Sequence, residues 1–169
     1  MGSARRFAAF VIFAVVALAA GYAGWRVCRL TVPEQCYACR RAVHPHTRTI
    51  ALANGKPQVF CCPACALSEQ AQKGRPVRVT ELTAFLTGAR LSPNEAYVVR
   101  ASDVNMCARQ DRLLDADQRV ADLSYDRCMP SLLAFAHAVE AIQFSREHGG
   151  TVLPFREVQS TAVKKPVRL

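Results

Sequence analysis

The chain has 169 residues, 51% of them hydrophobic, and a formal net charge of +9. That length allows one domain of ordinary size plus a terminal appendage. The positive charge is scattered and gathers partly at the two ends, with no aromatic–basic platform, which argues against nucleic acid as a partner.

Phe7 to Trp25 form a 19-residue run without charge, preceded by Arg5 and Arg6. A helix needs roughly 20 apolar residues to cross a bilayer, so this run is expected to be a transmembrane helix within an N-terminal segment 1–30. Its length exceeds that of a signal-peptide core, favouring an anchor over a cleaved leader ending near Ala17-Leu18-Ala19. The partner would be the lipid bilayer, and the following domain would lie in the periplasm or another extracytoplasmic space.

The domain is expected over 31–158, after a linker holding Pro33. Cys36 and Cys39 form a first Cys-x2-Cys knuckle. Thr47 to Leu52 and Gln58 to Cys61 read as two strands, joined at Asn54-Gly55 by a type I′ hairpin turn. Cys61, Cys62 and Cys65 follow, and Pro63 fits the first turn of a helix running to Gln72 and stopping at Gly74. Val77 to Thr80 and Ala96 to Val99 are further strands, and Phe85 to Gly88 is a turn. Residues 111–123 read as loop or short helix. After Cys128-Met129-Pro130, the residues Leu132, Leu133, Phe135, Ala136, Val139, Ile142 and Phe144 suggest the main amphipathic helix, ended by Gly149-Gly150. Thr151 to Phe155 is an edge strand because Pro154 lacks a ladder donor, and 159–169 reads as a basic disordered tail. The class is α+β, a small mixed domain with a treble-clef-like cysteine cluster.

Five of the eight cysteines lie between Cys36 and Cys65. A knuckle, a hairpin and a second Cys-x2-Cys opening a helix bring four sulfurs around one soft ion, Cu(I) or Zn(II). A helix N-terminus lowers the thiolate pKa of Cys62 and Cys65. Cys61 is left over from that set, and which of Cys61 and Cys62 is a ligand stays open. Cys39, Cys61 and Cys65, spaced x21 and x3, resemble the TRASH-type heavy-metal pattern. Met106-Cys107 and Cys128-Met129 are secondary candidates, since thioether with thiolate selects Cu(I); Cys107 and Cys128 could instead pair as a disulfide. His44, His46 and His148 are possible imidazole ligands, although His148 before Gly149 reads more simply as a helix C-terminal cation.

The segments Cys128 to Phe135, Ala138 to Phe144 and His148 to Val152 resemble the C-terminal part of NosL-type proteins, accessory proteins of nitrous oxide reductase. Cys36-x2-Cys39, Val77 to Glu81, Gly88 and Ala96 to Asp103 are similar too, so the resemblance covers roughly 34–158. It implies a membrane-attached, extracytoplasmic, non-enzymatic Cu(I) carrier that delivers metal to a client metalloprotein. The family's cysteine motif maps onto Cys36 and Cys39, with Arg40 and Arg41 standing where Gly and Met are expected. Two other functions fit the residues: a structural zinc module for protein interaction, and a thiol–disulfide oxidoreductase using Cys36 and Cys39. The latter lacks a visible thioredoxin-like βαβ pattern.

Overall fold

A computed structural model describes residues 2–31, 34–107 and 126–164. The chain divides into two units, Met1–Glu34 and Gln35–Leu169. The first carries helix α1, Gly2–Thr31. Among the described residues no helix is long and apolar enough to cross a membrane. The expected transmembrane helix is thereby overturned, and with it the bilayer as a partner and the membrane and periplasmic placement.

The second unit is an α+β mixed domain built on two antiparallel sheets. The first has the order β2-β1-β3-β4, formed by β1 (Thr49–Ala53), β2 (Lys56–Phe60), β3 (Val77–Thr83) and β4 (Arg90–Leu91). Asn54 and Gly55 both have positive φ, 55° and 73°, as a type I′ turn requires, and they set the register Ala53↔Lys56 to Thr49↔Phe60. Helix α2 (Pro63–Lys73) begins with Pro63 and is closed by Gly74 in the left-handed conformation, whose N–H returns to the Gln70 carbonyl.

The second sheet has the order β6-β5-β7, from β5 (Tyr97–Arg100), β6 (Leu132–Phe135) and β7 (Thr151–Pro154). β7 is the edge strand expected from Pro154. Residues 132–135 are not helical as expected. Leu132 and Ala134 pack into one core cluster, Leu133 and Phe135 into the other, so this short run is buried on both faces. A continuous apolar stretch of that kind fits a strand as well as a buried helix turn, and pairing with β5 decides it. Helix α3 (Ala138–His148) starts only after His137, whose N–H donates to Glu140. Helix α4 (Phe155–Lys164) occupies residues read as the end of a strand and the start of a disordered tail. Among its described residues the domain thus has α2 close to where a helix was expected, α3 in place of the longer main amphipathic helix, and α4 where none was expected.

Phe135 and Phe144 pack with ring centroids 5.1 Å apart, holding α3 on the second sheet. Phe60, Leu82, Val98 and Phe155 are fully buried in the larger cluster, each worth about 1.5–3 kcal/mol of burial. That cluster also contains six cysteines: Cys36, Cys61, Cys62, Cys65, Cys107 and Cys128.

Candidate metal centre

Three local structures converge on the sulfurs. The knuckle is closed by Cys36 N–H donating to the Arg41 carbonyl at 2.9 Å and Arg40 N–H to the Cys36 carbonyl at 3.0 Å, with Arg40 at φ 63°. Tyr37 N–H donates to the Val59 carbonyl at 2.7 Å, which docks the knuckle on β2. Just past the end of β2 come Cys61 and Cys62. Cys62 is the extended residue that precedes α2, and Cys65 lies in the helix's first turn.

The Sγ atoms of Cys36, Cys39, Cys61 and Cys65 all lie within 4.8 Å of one another. Cys36 and Cys65 are 3.6 Å apart, Cys39 and Cys61 3.5 Å. Four thiolates placed 2.3 Å from a tetrahedral zinc would be about 3.8 Å apart, so this donor set fits the ion with little adjustment. Cys36, Cys61 and Cys65 are fully buried, and only Cys39 reaches partly to solvent.

Cys62 belongs elsewhere. With Cys61 and Cys107 it forms a second group whose sulfurs lie within 4.8 Å of one another. Cys128 Sγ is 3.5 Å from Cys61 Sγ. Cys107 and Cys128 are both free thiols, so the disulfide considered for them is not formed. Met106 and Met129 are 45% and 55% exposed, and Met129 sulfur takes a hydrogen bond from Asn105 at 3.1 Å. Among the described residues, neither group of candidate ligands includes a histidine. His46 Nδ1 sits 2.7 Å from the Phe85 carbonyl, and His148 pairs with Asp103 at 3.1 Å. The segment 111–123 lies outside the described residues.

Protons are shared unevenly among the crowded sulfurs. Cys39 works against Cys36, yet hydrogen bonds from Cys61 and Cys65 bring Cys36 down to about 6. Cys128 opposes Cys39 in the same way, but Cys36, Cys61 and Cys65 hold it at about 3. Cys107 is held well below the usual thiol range by Cys128, Cys61 and Cys62. Cys128 is also low, Cys39, Cys61 and Cys62 outweighing Cys107. Cys61 is pushed far up by Cys107 and Cys128, Cys62 by the same two, and Cys65 by Cys128, Cys36 and Cys39. The sequence expectation for Cys62 and Cys65 is therefore reversed. Neighbouring thiolates outweigh the helix N-terminus, so these thiols keep their protons as donors.

Side chains that the sequence did not single out hold the distal cysteines. Arg41 Nη1 donates to the Cys107 carbonyl, and its guanidinium grips Asp126 in a bidentate pair at 3.0 and 2.7 Å. Asp126 in turn accepts from the Cys128 N–H at 2.8 Å. Asn105 donates to the Cys128 carbonyl at 2.9 Å and accepts from the Cys107 N–H at 3.0 Å. No motif marks Arg41 or Asn105; their roles follow from contacts between residues far apart in the chain.

Fold and site together define an α+β domain with cysteine clusters able to coordinate a metal ion. No family model matches the chain, and no curated protein matches it. Among solved structures, it is distantly similar to the crystal structure of the copper chaperone NosL from Shewanella denitrificans, with a TM-score of 0.47 and 14% identity, over 73% of this chain and 88% of that one. The membrane anchoring in the expected function is overturned, because among the described residues no helix is long and apolar enough to cross a membrane.

Proposed function

We propose that this domain is a non-enzymatic structural zinc module, in which Cys36, Cys39, Cys61 and Cys65 hold Zn(II) and lock knuckle, hairpin and α2 into one unit for protein interaction. The observation that carries this reading is the four-sulfur group itself, within 4.8 Å and with three members fully buried. Closed sites of four protein ligands are the structural kind, whereas catalytic zinc keeps an open position. Zinc supplies folding energy there, and removing it is expected to unfold or loosen the domain. Copper transfer by ligand exchange would need sulfurs that an incoming ligand can reach, and within the four-sulfur group only Cys39 offers that.

The test is metal analysis of the purified protein followed by chelation. Zinc at stoichiometric level, with a large drop in thermal stability on its removal, is the expected result. Retention of Cu(I) against a strong Cu(I) chelator, with folding indifferent to zinc, would replace this reading. Catalysis of disulfide reduction that Cys36→Ser abolishes would favour the oxidoreductase instead.

A further inference from the structure

We propose that the domain binds a second soft metal ion beside the first, held by Cys62, Cys107 and Cys128, with Cys61 bridging the two ions through one sulfur. The proposal rests on the four-thiolate reading for its first ion and extends it to a two-metal cluster of seven sulfurs.

The geometry centres on Cys61. It is a member of both groups of mutually close sulfurs: Cys36, Cys39, Cys61 and Cys65, and Cys61, Cys62 and Cys107. Its Sγ lies 3.5 Å from Cys39 Sγ and 3.5 Å from Cys128 Sγ, with Cys62 Sγ at 4.0 Å. Both outer spacings match the edge of about 3.8 Å expected between thiolates sharing one tetrahedral ion. A thiolate sulfur has lone pairs enough for two metal bonds. The vicinal pair divides the work: Cys61 closes the first site, while Cys62 faces the second.

The second site is built, not incidental. Cys61, Cys62, Cys107 and Cys128 are 0%, 3%, 6% and 0% exposed. No disulfide forms among these four, so every one of their sulfurs is available as a ligand. Cys107 and Cys128 come from distant parts of the sequence, and Arg41 and Asn105 each tie one to the other. Arg41 reaches the Cys107 carbonyl and Asp126, which holds the Cys128 N–H; Asn105 bonds the Cys107 N–H and the Cys128 carbonyl. The Arg41 guanidinium also places a positive charge beside a cluster that carries excess negative charge once loaded. All-sulfur ligation selects Zn(II), Cd(II) or Cu(I) over harder ions.

Cadmium-113 is a direct probe, because it takes the zinc position and reports both the number of ions and any sulfur they share. The full chain loaded with ¹¹³Cd(II) should give two NMR resonances in the thiolate region, split by coupling to each other through Cys61. Native mass spectrometry should count two ions. Cys107→Ser should leave one unsplit resonance and one ion. Two resonances without mutual coupling would overturn the bridge. A single resonance and one ion in the parent protein would overturn the second site while leaving the four-thiolate reading intact. No bound cadmium would overturn both. The parent spectrum decides the matter even if the variant fails to fold.

Discussion

Replacing Cys65 by serine removes one sulfur from the four-thiolate group while changing side-chain volume little. Structural zinc sites contribute about 10–16 kcal/mol in all, so one of four thiolates carries about 3 kcal/mol. At 1.4 kcal/mol per tenfold change, zinc affinity should fall by roughly two orders of magnitude. Cys65 Sγ lies 3.6 Å from Cys36 Sγ and is fully buried, so water cannot easily take the vacated ligand position. The metal-free protein should suffer less, because a buried hydroxyl costs about 1–3 kcal/mol when poorly bonded. The measurement is zinc competition against a chromophoric chelator, paired with thermal unfolding of loaded and stripped protein. In the parent, loaded and stripped forms should melt far apart; in Cys65→Ser that gap should narrow sharply. A zinc affinity within threefold of the parent would refute the assignment of Cys65 as a ligand.

Metal binding should depend on pH. Cys36 and Cys39, at about 6 and about 3, are thiolates near neutrality, whereas Cys61 and Cys65 are pushed up and keep their protons. Zinc must displace those protons, so apparent affinity rises with pH and filling the first site releases about two protons; calorimetry in buffers of different ionisation enthalpy reads the number, and buffer-independent heats would contradict it. Glu69, nearly buried, accepts Arg127 at 2.6 Å and Lys73 at 2.9 Å, and despite desolvation these partners lower its pKa from 4.5. Its stabilisation is therefore present above the unfolded carboxylate pKa and lost as pH falls through the lowered folded value. Glu69→Gln should cost about 1.5–3 kcal/mol at pH 7, and less in acid, by urea denaturation. Gly150 has φ 91°, and a Cβ there would stand 2.7 Å from the Arg100 carbonyl oxygen and 3.0 Å from Ser102 N. Gly149→Ala, at φ 69° and ψ −169° with open space around it, should cost about 1–3 kcal/mol from backbone strain alone, and Gly150→Ala should cost more because its Cβ also meets the backbone; equal melting temperatures would refute the packing account.

Much of the fold was legible because its signals are local. Asn54-Gly55 demands positive φ at two successive residues and so specifies a hairpin. Pro63 and Gly74 bracket α2 because one lacks an N–H and the other tolerates the left-handed cap. The misread stretch, 132–135, carries no such signal. Four consecutive apolar residues satisfy either period, and it is pairing with β5, with burial on both faces, that makes them a strand. The apolar run near the N-terminus suggested a span by composition, but no described helix meets the length and hydropathy that a crossing needs.

The sequence by itself determined that a soft metal was the ligand to consider. Cys36, Cys39, Cys61, Cys62 and Cys65 lie within one knuckle, hairpin and helix start, and short-range geometry brings them close. It left open the division between Cys61 and Cys62 and the place of Cys107 and Cys128. Those were decided by tertiary structure. Cys61 joins the group of Cys36, Cys39 and Cys65 and Cys62 does not, although their two sulfurs are 4.0 Å apart. The Arg41–Asp126 pair and Asn105 draw in sulfurs 46 and 67 residues away from Cys61, contacts that no local periodicity encodes.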